Sequence, residues 1–287
     1  METAIRKNIG WRLFVQTILG RAYPRVVGMS REKSWLFFEI FLPMLSVSAY
    51  VFVYRALKAP EEYIGFVVVG GAMTAFWMNI LWSMSSQLYW EKETGNLALY
   101  IMSPANLMGI LLGMALGGMV STAQRALGII LLGSLAFKVQ YAVGDFWQLL
   151  LVFFLAMTAL YGMGMMFASL YLLWGREAWN LSALMEEPVF FSSGFYFPQA
   201  GLYQVGGWAR AVAIAGTFIP ATLGLDAMRQ LVLGPTAFGG QLWILGVGQE
   251  LALLAVFAVV FLILARYALA YLEMLAKREG KLTSRHQ

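Results

Sequence analysis

The sequence contains no cysteine and only one histidine, and 12% of its 287 residues are charged. Without cysteine, the chain can form neither disulfide bonds nor thiolate metal sites, and it has no cysteine nucleophile. The single histidine, His286, stands next to the last residue, so we expect no catalytic residues and no metal site in this chain. Because soluble proteins carry about a quarter charged residues, this low fraction argues against a soluble fold.

Apolar residues take the place of the missing charges. They make up 60% of the chain, and the mean hydropathy is +0.70. About 20 apolar residues cross the roughly 30 Å hydrocarbon core of a bilayer, so a chain of this length has room for about six crossings with short loops. The sequence therefore predicts an all-α membrane protein of six transmembrane helices. The net charge of +5 does not indicate nucleic-acid binding in so apolar a chain.

The pattern divides the chain into three parts. Residues 1–34 have apolar side chains at helical spacing among basic ones, which predicts a cytoplasmic helix lying in the membrane interface and ending at Tyr23–Pro24. Residues 35–265 form the membrane domain, and residues 266–287 a basic cytoplasmic tail. The predicted spans cover residues 35–54, 63–83, 104–137, 146–174, 179–197 and 242–265.

One apolar stretch, residues 209–225, is interrupted by Gly216, Pro220 and Gly224. A seventh span there would place the two chain ends on opposite sides of the membrane. Both ends are rich in lysine and arginine, and the positive-inside rule places such ends in the cytoplasm. We therefore predict that residues 198–236 form a re-entrant or interfacial helical pair on the outer face of the cell (inner) membrane, with both termini cytoplasmic.

Two features suggest how the predicted spans pack. Gly109, Gly113 and Gly117 recur every four residues in the third span, and such a stripe allows close helix approach, which we expect within one subunit.

Arg125 of the same span and Glu250 of the last span both lie nearer the outer face. They would pair, because a pair would neutralise both charges; alternatively, each side chain reaches the membrane interface or faces a water-filled vestibule by itself.

A polar segment, residues 85–103, separates the second and third predicted spans. It mixes acidic, aromatic and aliphatic residues, has a glycine break at Gly95 and is closed by Pro104. The segment is longer than a simple connection needs, so we predict a short helix that presents a charged and an apolar face to a soluble partner. A loop resting on the lipid headgroups is the alternative interpretation.

Three stretches, in order, resemble type-2 ABC exporter permeases, the group that includes antibiotic, nodulation-factor and polysaccharide exporters. Residues 91–95, Glu-x-Glu-x-Gly, followed by leucine and then by Ser103–Pro104, resemble the first cytoplasmic loop of this family. Asn96 and Ala98 stand there in place of the more usual hydroxyl residue and acid. Residues 188–198 resemble the fifth-span signature, and residues 219–234 resemble the outer re-entrant segment.

The resemblance implies a six-span permease paired with a second permease subunit, of the same or a related chain, and with two separate ATP-binding subunits. The segment from 85 to 103 would then be the coupling loop, seated in a groove of the ATPase. The residues that would form this contact are Trp90, Glu91, Glu93, Gly95, Leu97 and Leu99. The chain itself has no Gly-x-x-x-x-Gly-Lys-Ser/Thr loop, so we expect no enzyme activity here and no cofactor, with ATP and Mg²⁺ bound by the partner.

Two acids precede Pro188 inside the fifth predicted span. Glu186 and Glu187 lie about 10–12 Å beyond Trp179 at 1.5 Å per residue, where a buried charge costs about 2.5–3.5 kcal/mol. They would therefore line the transport path or the subunit seam; alternatively the span begins later and the acids lie at the cytoplasmic interface near Arg176. The neighbouring aromatic residues would line the same path, or else contact lipid and other helices: Phe190, Phe191, Phe195 and Tyr196.

A different class of transporter is also compatible with these acids. Glu186, Glu187 and Glu250 could carry protons or ions in a secondary transporter that needs no ATPase. Such transporters often have an inverted repeat of broken helices, whereas this sequence has one broken segment, in its C-terminal half. Membrane lipid surrounds the chain in either case, and the sequence does not identify the transported substrate.

Overall fold

The computed structural model describes residues 2–174, 177–234, 237 and 245–278, and the regular elements in these ranges are all helices. A π-helical segment, Asn79–Met84, joins the third helix to the fourth. The helices are α1 (Glu2–Arg31), α2 (Lys33–Ala56), α3 (Glu62–Met78), α4 (Gln87–Glu93), α5 (Asn96–Met102), α6 (Leu107–Phe137), α7 (Phe146–Trp174), α8 (Ala178–Ser192), α9 (Gln199–Val205), α10 (Gly207–Gly216), α11 (Pro220–Leu233) and α12 (Val247–Arg278).

Five helices in the described part of the chain are long and apolar enough to cross a membrane. The chain thus has the architecture expected of a multi-pass membrane protein. A sixth crossing is added if α10 and α11, which meet at a bend of 88°, count as one broken span. The five are Lys33–Ala56, Glu62–Glu93, Leu107–Phe137, Phe146–Tyr171 and Val247–Leu275.

The predicted fifth span is shorter than expected. Its helix, α8, has 15 residues and ends at Ser192, followed by a turn in which Gly194 has φ +65°. A left-handed residue ends an α-helix, so the apolar run that continues to residue 197 is not helical to its end. Residues 198–236 then contain α9 and the bent pair α10–α11, while residues 235 and 236 lie outside the described residues.

The last span differs from its prediction at its C-terminal end. α12 does not stop near Ala265 but continues as helix to Arg278, so the first part of the predicted basic tail belongs to it. The predicted start of this span, residues 242–244, and the end of the tail, residues 279–287, lie outside the described residues.

The predicted end of the N-terminal helix at Tyr23–Pro24 is wrong, since α1 continues through Pro24 to Arg31. A proline inside a helix removes one backbone hydrogen bond, but packing against α6 stabilises the helical conformation of α1 around it. Added methyl groups on Gly113 and Gly117 would touch the Ile18 and Ala22 carbonyl oxygens.

The glycine stripe of α6 is therefore covered by α1 of the same chain, as predicted for packing within one subunit. Gly109, Gly113 and Gly117 meet Phe14, Ile18 and Ala22 in step, so the two helices run in the same direction along about two turns. The alignment places α1 along the first half of α6. The predicted position of α1 in the membrane interface stays a prediction.

A buried arginine joins three separate parts of the chain. Arg229 of α11 is 2% exposed. Its guanidinium donates to the carbonyl oxygens of Phe66 at 2.9 Å, Gly194 at 2.7 Å and Phe195 at 2.6 Å. It also lies 3.3 Å from the centroid of the Phe66 ring. Arg229 thus holds α11, the start of α3 and the turn after α8 together.

The predicted pairing of Arg125 with Glu250 is wrong. The Arg125 guanidinium lies 2.7 Å from the Glu39 carboxylate of α2 and also donates to Thr122 at 3.1 Å. Glu250 is buried at the start of α12, where the Gln230 side-chain amide donates to it at 3.2 Å. Glu39 is within reach of Arg125 because α2 packs directly on α6.

Replacing Arg229 by methionine should destabilise the protein by several kcal/mol. The substitution keeps much of the side-chain volume but leaves three buried carbonyl groups without their donor, at about 1–3 kcal/mol for each unsatisfied group. The matched control is Arg210→Met on α10, an exposed arginine whose replacement should change stability by less than about 0.5 kcal/mol. Tryptophan fluorescence during heating of detergent-solubilised protein measures both, and equal unfolding temperatures would contradict the prediction.

Candidate functional site

The polar segment between the second and third long helices is two short helices joined to a membrane span. α3, the π-helical segment and α4 form one continuous helix over Glu62–Glu93. In the π-helical turn the Ser85 amide donates to the Ile80 carbonyl at 2.9 Å, five residues back. Such turns add one residue to a helix and occur often at functional sites. A displacement of α4 is thus carried directly into α3.

Gly95 allows the chain to fold back after α4. Its φ of +82° lies in the left-handed region, which costs glycine nothing. The reversal brings α5 against α4, so that Leu97 is 1% exposed and the Tyr100 hydroxyl donates to Glu91 at 2.9 Å. We call residues 87–102 the α4–α5 segment.

Glu91 faces the protein interior, although the sequence suggested a contact with a partner. Its carboxylate pairs with Arg21 of α1 and accepts from the Gln87 amide at 3.0 Å and from the Tyr100 hydroxyl. Burial raises the pKa of Tyr100, which keeps its hydroxyl protonated as a donor. Glu91 therefore joins α1, α4 and α5.

A second arginine of α1 strengthens this attachment. Arg25 donates to Gln87 of α4 and to Ser83 of the π-helical segment. Arg21 and Arg25 are four residues apart, so they lie on one face of α1. The spacing of the two arginines is visible in the sequence, but their partners, 58 to 70 residues further along the chain, are not.

The outward surface of the α4–α5 segment is largely apolar. Trp90 is 49% exposed, Leu99 59% and Met102 75%. Of the residues predicted to contact a partner, Trp90 and Leu99 are exposed and Glu93 is half-buried, while Glu91 and Leu97 are buried and Gly95 forms the turn. The predicted contact residues therefore fall into two groups: some form an exposed surface, and the others hold that surface in place.

The predicted path residues come together in a groove. This cavity of about 580 Å³ lies between α2, α3, α8 and the turn after α8. It brings together five of the six predicted residues, Glu186, Glu187, Phe190, Phe191 and Tyr196. The remaining walls are Leu42, Pro43, Ser46, Tyr50, Thr74, Met78 and Phe197.

Phe195, the sixth predicted residue, lies behind the wall of the groove. Its side chain is fully buried with its ring centroid 5.1 Å from that of Phe190, and its carbonyl oxygen accepts from Arg229. A methyl group on Gly70 of α3 would overlap this oxygen. Phe195 therefore supports Phe190 and does not line the groove.

The two acids of α8 differ in their surroundings. The Trp82 indole donates to Glu186 at 2.9 Å, whereas Glu187 is exposed at the groove. The acids lie eight and nine residues after the first residue of α8, and their depth in the membrane stays a prediction. The alternative position beside Arg176 concerns a residue outside the described part of the chain.

Neither protein-family models nor curated proteins give a match to this chain. Function is therefore argued from the two sites themselves. The α4–α5 segment can dock a partner and transmit its motion, and the groove offers carboxylates beside aromatic rings to a substrate.

The burial contrast within α5 predicts a large difference in chemical accessibility. Because the chain has no cysteine, single substitutions give unambiguous labelling. Leu99→Cys should react with a water-soluble maleimide many times faster than Leu97→Cys, since the first side chain is exposed and the second is packed against α4. Gel-shift labelling in membranes measures both rates; comparable rates would show that α5 does not pack as described.

Proposed function

We propose that the chain is the transmembrane subunit of an ATP-binding-cassette exporter, which forms the substrate path as a dimer and is driven by separate ATPase subunits. The observation that carries the proposal is the α4–α5 segment. It combines an exposed apolar surface with a rigid, continuous connection to a membrane span.

An exposed apolar surface on a polar connection favours a protein partner. Trp90, Leu99 and Met102 are the kind of side chains that form the buried centre of an interface. Their positions are fixed from within by Glu91 and its partners on α1 and α5. A docking surface held this firmly can transmit the motion of an ATPase instead of deforming under it.

Contacts around Trp179 connect the docking surface to the groove. The Trp179 ring of α8 lies 5.9 Å from the ring of Trp90 and 6.2 Å from that of Trp82. Trp82 in turn holds Glu186 at the groove. In the proposed mechanism, ATP-driven movement of α4 tilts α8 through these contacts and changes the width of the groove.

The exposed face of α2 supports a contact with a second permease subunit. Only 11% of its most apolar stretch is buried, and Phe37, Phe41 and Leu45 are exposed on it. This face is continuous with the groove through Leu42. Two such chains facing each other would enclose a path between their grooves, with aromatic walls and the acids of α8.

The proposed sidedness follows the distribution of basic residues. We place both ends of the chain and the α4–α5 segment in the cytoplasm, which needs an even number of crossings. The short α8 and the turn after it then make the sixth crossing, and α10–α11 forms a re-entrant pair on the outer face of the cell (inner) membrane. ATP and Mg²⁺ are bound by the partner. The nature of the exported substrate is left open by the mixed lining of the groove.

The rival proposal is a proton- or ion-coupled transporter that uses three glutamates. Among the described residues these acids do not form one site. Glu186 and Glu187 border the groove, whereas Glu250 is buried beside Gln230 of α11. This separation favours the exporter.

Purification of the tagged chain from its native membrane tests the proposal. We expect an ATP-binding subunit in stoichiometric amount. Leu99→Asp should abolish its recovery, because a carboxylate would be desolvated in the apolar centre of the interface. Leu57→Asp changes another exposed leucine, after α2 and at the opposite end of α3 from α4, and should leave recovery unchanged.

Three results would contradict the proposal. The first is recovery of no ATP-binding companion, and the second is labelling of Leu99→Cys only from the periplasmic side. The third is transport that persists without ATP and stops when the proton gradient is collapsed, which would favour the rival mechanism.

A further inference from the structure

A second cavity, of about 440 Å³, lies between α3, α6, α7 and α11, apart from the groove. Its walls include Phe76 of α3, Ala126 of α6 and Phe153 of α7. All its lining side chains are apolar except that of Tyr141, whose hydroxyl is hydrogen-bonded to the Ser134 hydroxyl at 2.9 Å. The cavity therefore offers no free polar group to a ligand.

The depth of the cavity corresponds to one leaflet of a bilayer. One end lies at the α6–α7 connection, where Tyr141 and Val143 contribute to the wall. From there it follows α7 over residues 146–153 and α6 over residues 123–130. Seven residues of helix rise about 10 Å, which fits within the roughly 15 Å of hydrocarbon that one leaflet contributes to a 30 Å core.

We expect this cavity neither to stay empty nor to hold water. Protein interiors are close-packed, with few voids larger than a water molecule, and a purely apolar cavity stays dry. The cavity is open at its side, where the rim residues Leu127 and Phe146 are exposed. Hydrocarbon from the bilayer can enter there.

We propose that this cavity binds one acyl chain of a bilayer phospholipid, in the leaflet that contains residues 138–145. A protein helix is about 10–12 Å wide with its side chains and does not fit a space of this volume between four packed helices, whereas a single hydrocarbon chain does. Lys138 and Trp147 are both exposed at the two ends of the α6–α7 connection. At the headgroup level lysine attracts lipid phosphate and tryptophan anchors the protein, so both residues agree with a lipid headgroup near this connection.

The bound chain completes the packing of a functional region. Met228 and Val232 of α11 line the cavity: Met228 is adjacent to Arg229 in the sequence, and Val232 lies about one helical turn after it. Phe76, also in the wall, lies just before the π-helical segment. Filling the space with hydrocarbon restores contacts that these side chains otherwise lack. The site depends only on the chain being embedded in a bilayer, so it can hold or fail independently of the proposed export function.

A photoreactive lipid tests this inference. The full-length protein is placed in nanodiscs with a phospholipid that carries a diazirine halfway along one acyl chain, irradiated and analysed by peptide mass spectrometry. Adducts should concentrate on residues 123–130 and 146–153, several-fold above the exposed lipid-facing Leu135. Ala126→Phe should remove the excess by filling the cavity, whereas Ala136→Phe, exposed on the same helix, should leave it intact.

Native mass spectrometry of the detergent-purified protein gives a second measurement. Retained phospholipid should be present in the original chain and in Ala136→Phe and reduced in Ala126→Phe; if Ala126→Phe fails to fold, Ala123→Phe at the edge of the cavity replaces it. The inference is overturned if labelling inside the cavity equals that of Leu135, if the filling variants leave it unchanged, or if cross-links between two copies of the chain replace the lipid adducts.

Discussion

The buried guanidinium of Arg229 is the interaction on which the half of the molecule that contains the turn after α8 depends. The turn after α8 exposes the carbonyl groups of Gly194 and Phe195 inside an apolar region, where unsatisfied polar groups are costly. Arg229 satisfies both and the Phe66 carbonyl as well, while Gly70 leaves room for the close approach. Because α8 ends at this turn, the shape of the groove depends on one side chain of α11.

A comparable polar core organises the opposite half. Arg21 and Arg25 attach α1 to the π-helical segment and α4, and Glu91 joins this attachment to α5. The apolar residues that remain outside are those that a partner can reach. The two halves are linked through α3, which is nearly wholly buried along its length.

Much of this arrangement could be predicted from the sequence. Long apolar runs gave five of the helices because their length and composition are local properties, and the stripe of Gly109, Gly113 and Gly117 indicated close packing. The partners of Arg125 and Glu91 could not be predicted, since they depend on which helices are neighbours. The end of α8 was also missed, because an apolar run does not reveal that a left-handed Gly194 ends the helix within it.

The π-helical turn has a consequence for how α4 is oriented. One additional residue in a helix rotates everything after it by about 100°, since each turn holds 3.6 residues. The side of α4 that bears Glu91 meets Arg21 only because this rotation occurs between Asn79 and Met84. If that turn relaxed to regular α-helix, the segment would swing about its own axis. In the proposed exporter, the helix that carries the motion of an ATPase into α3 would then also rotate its own docking surface.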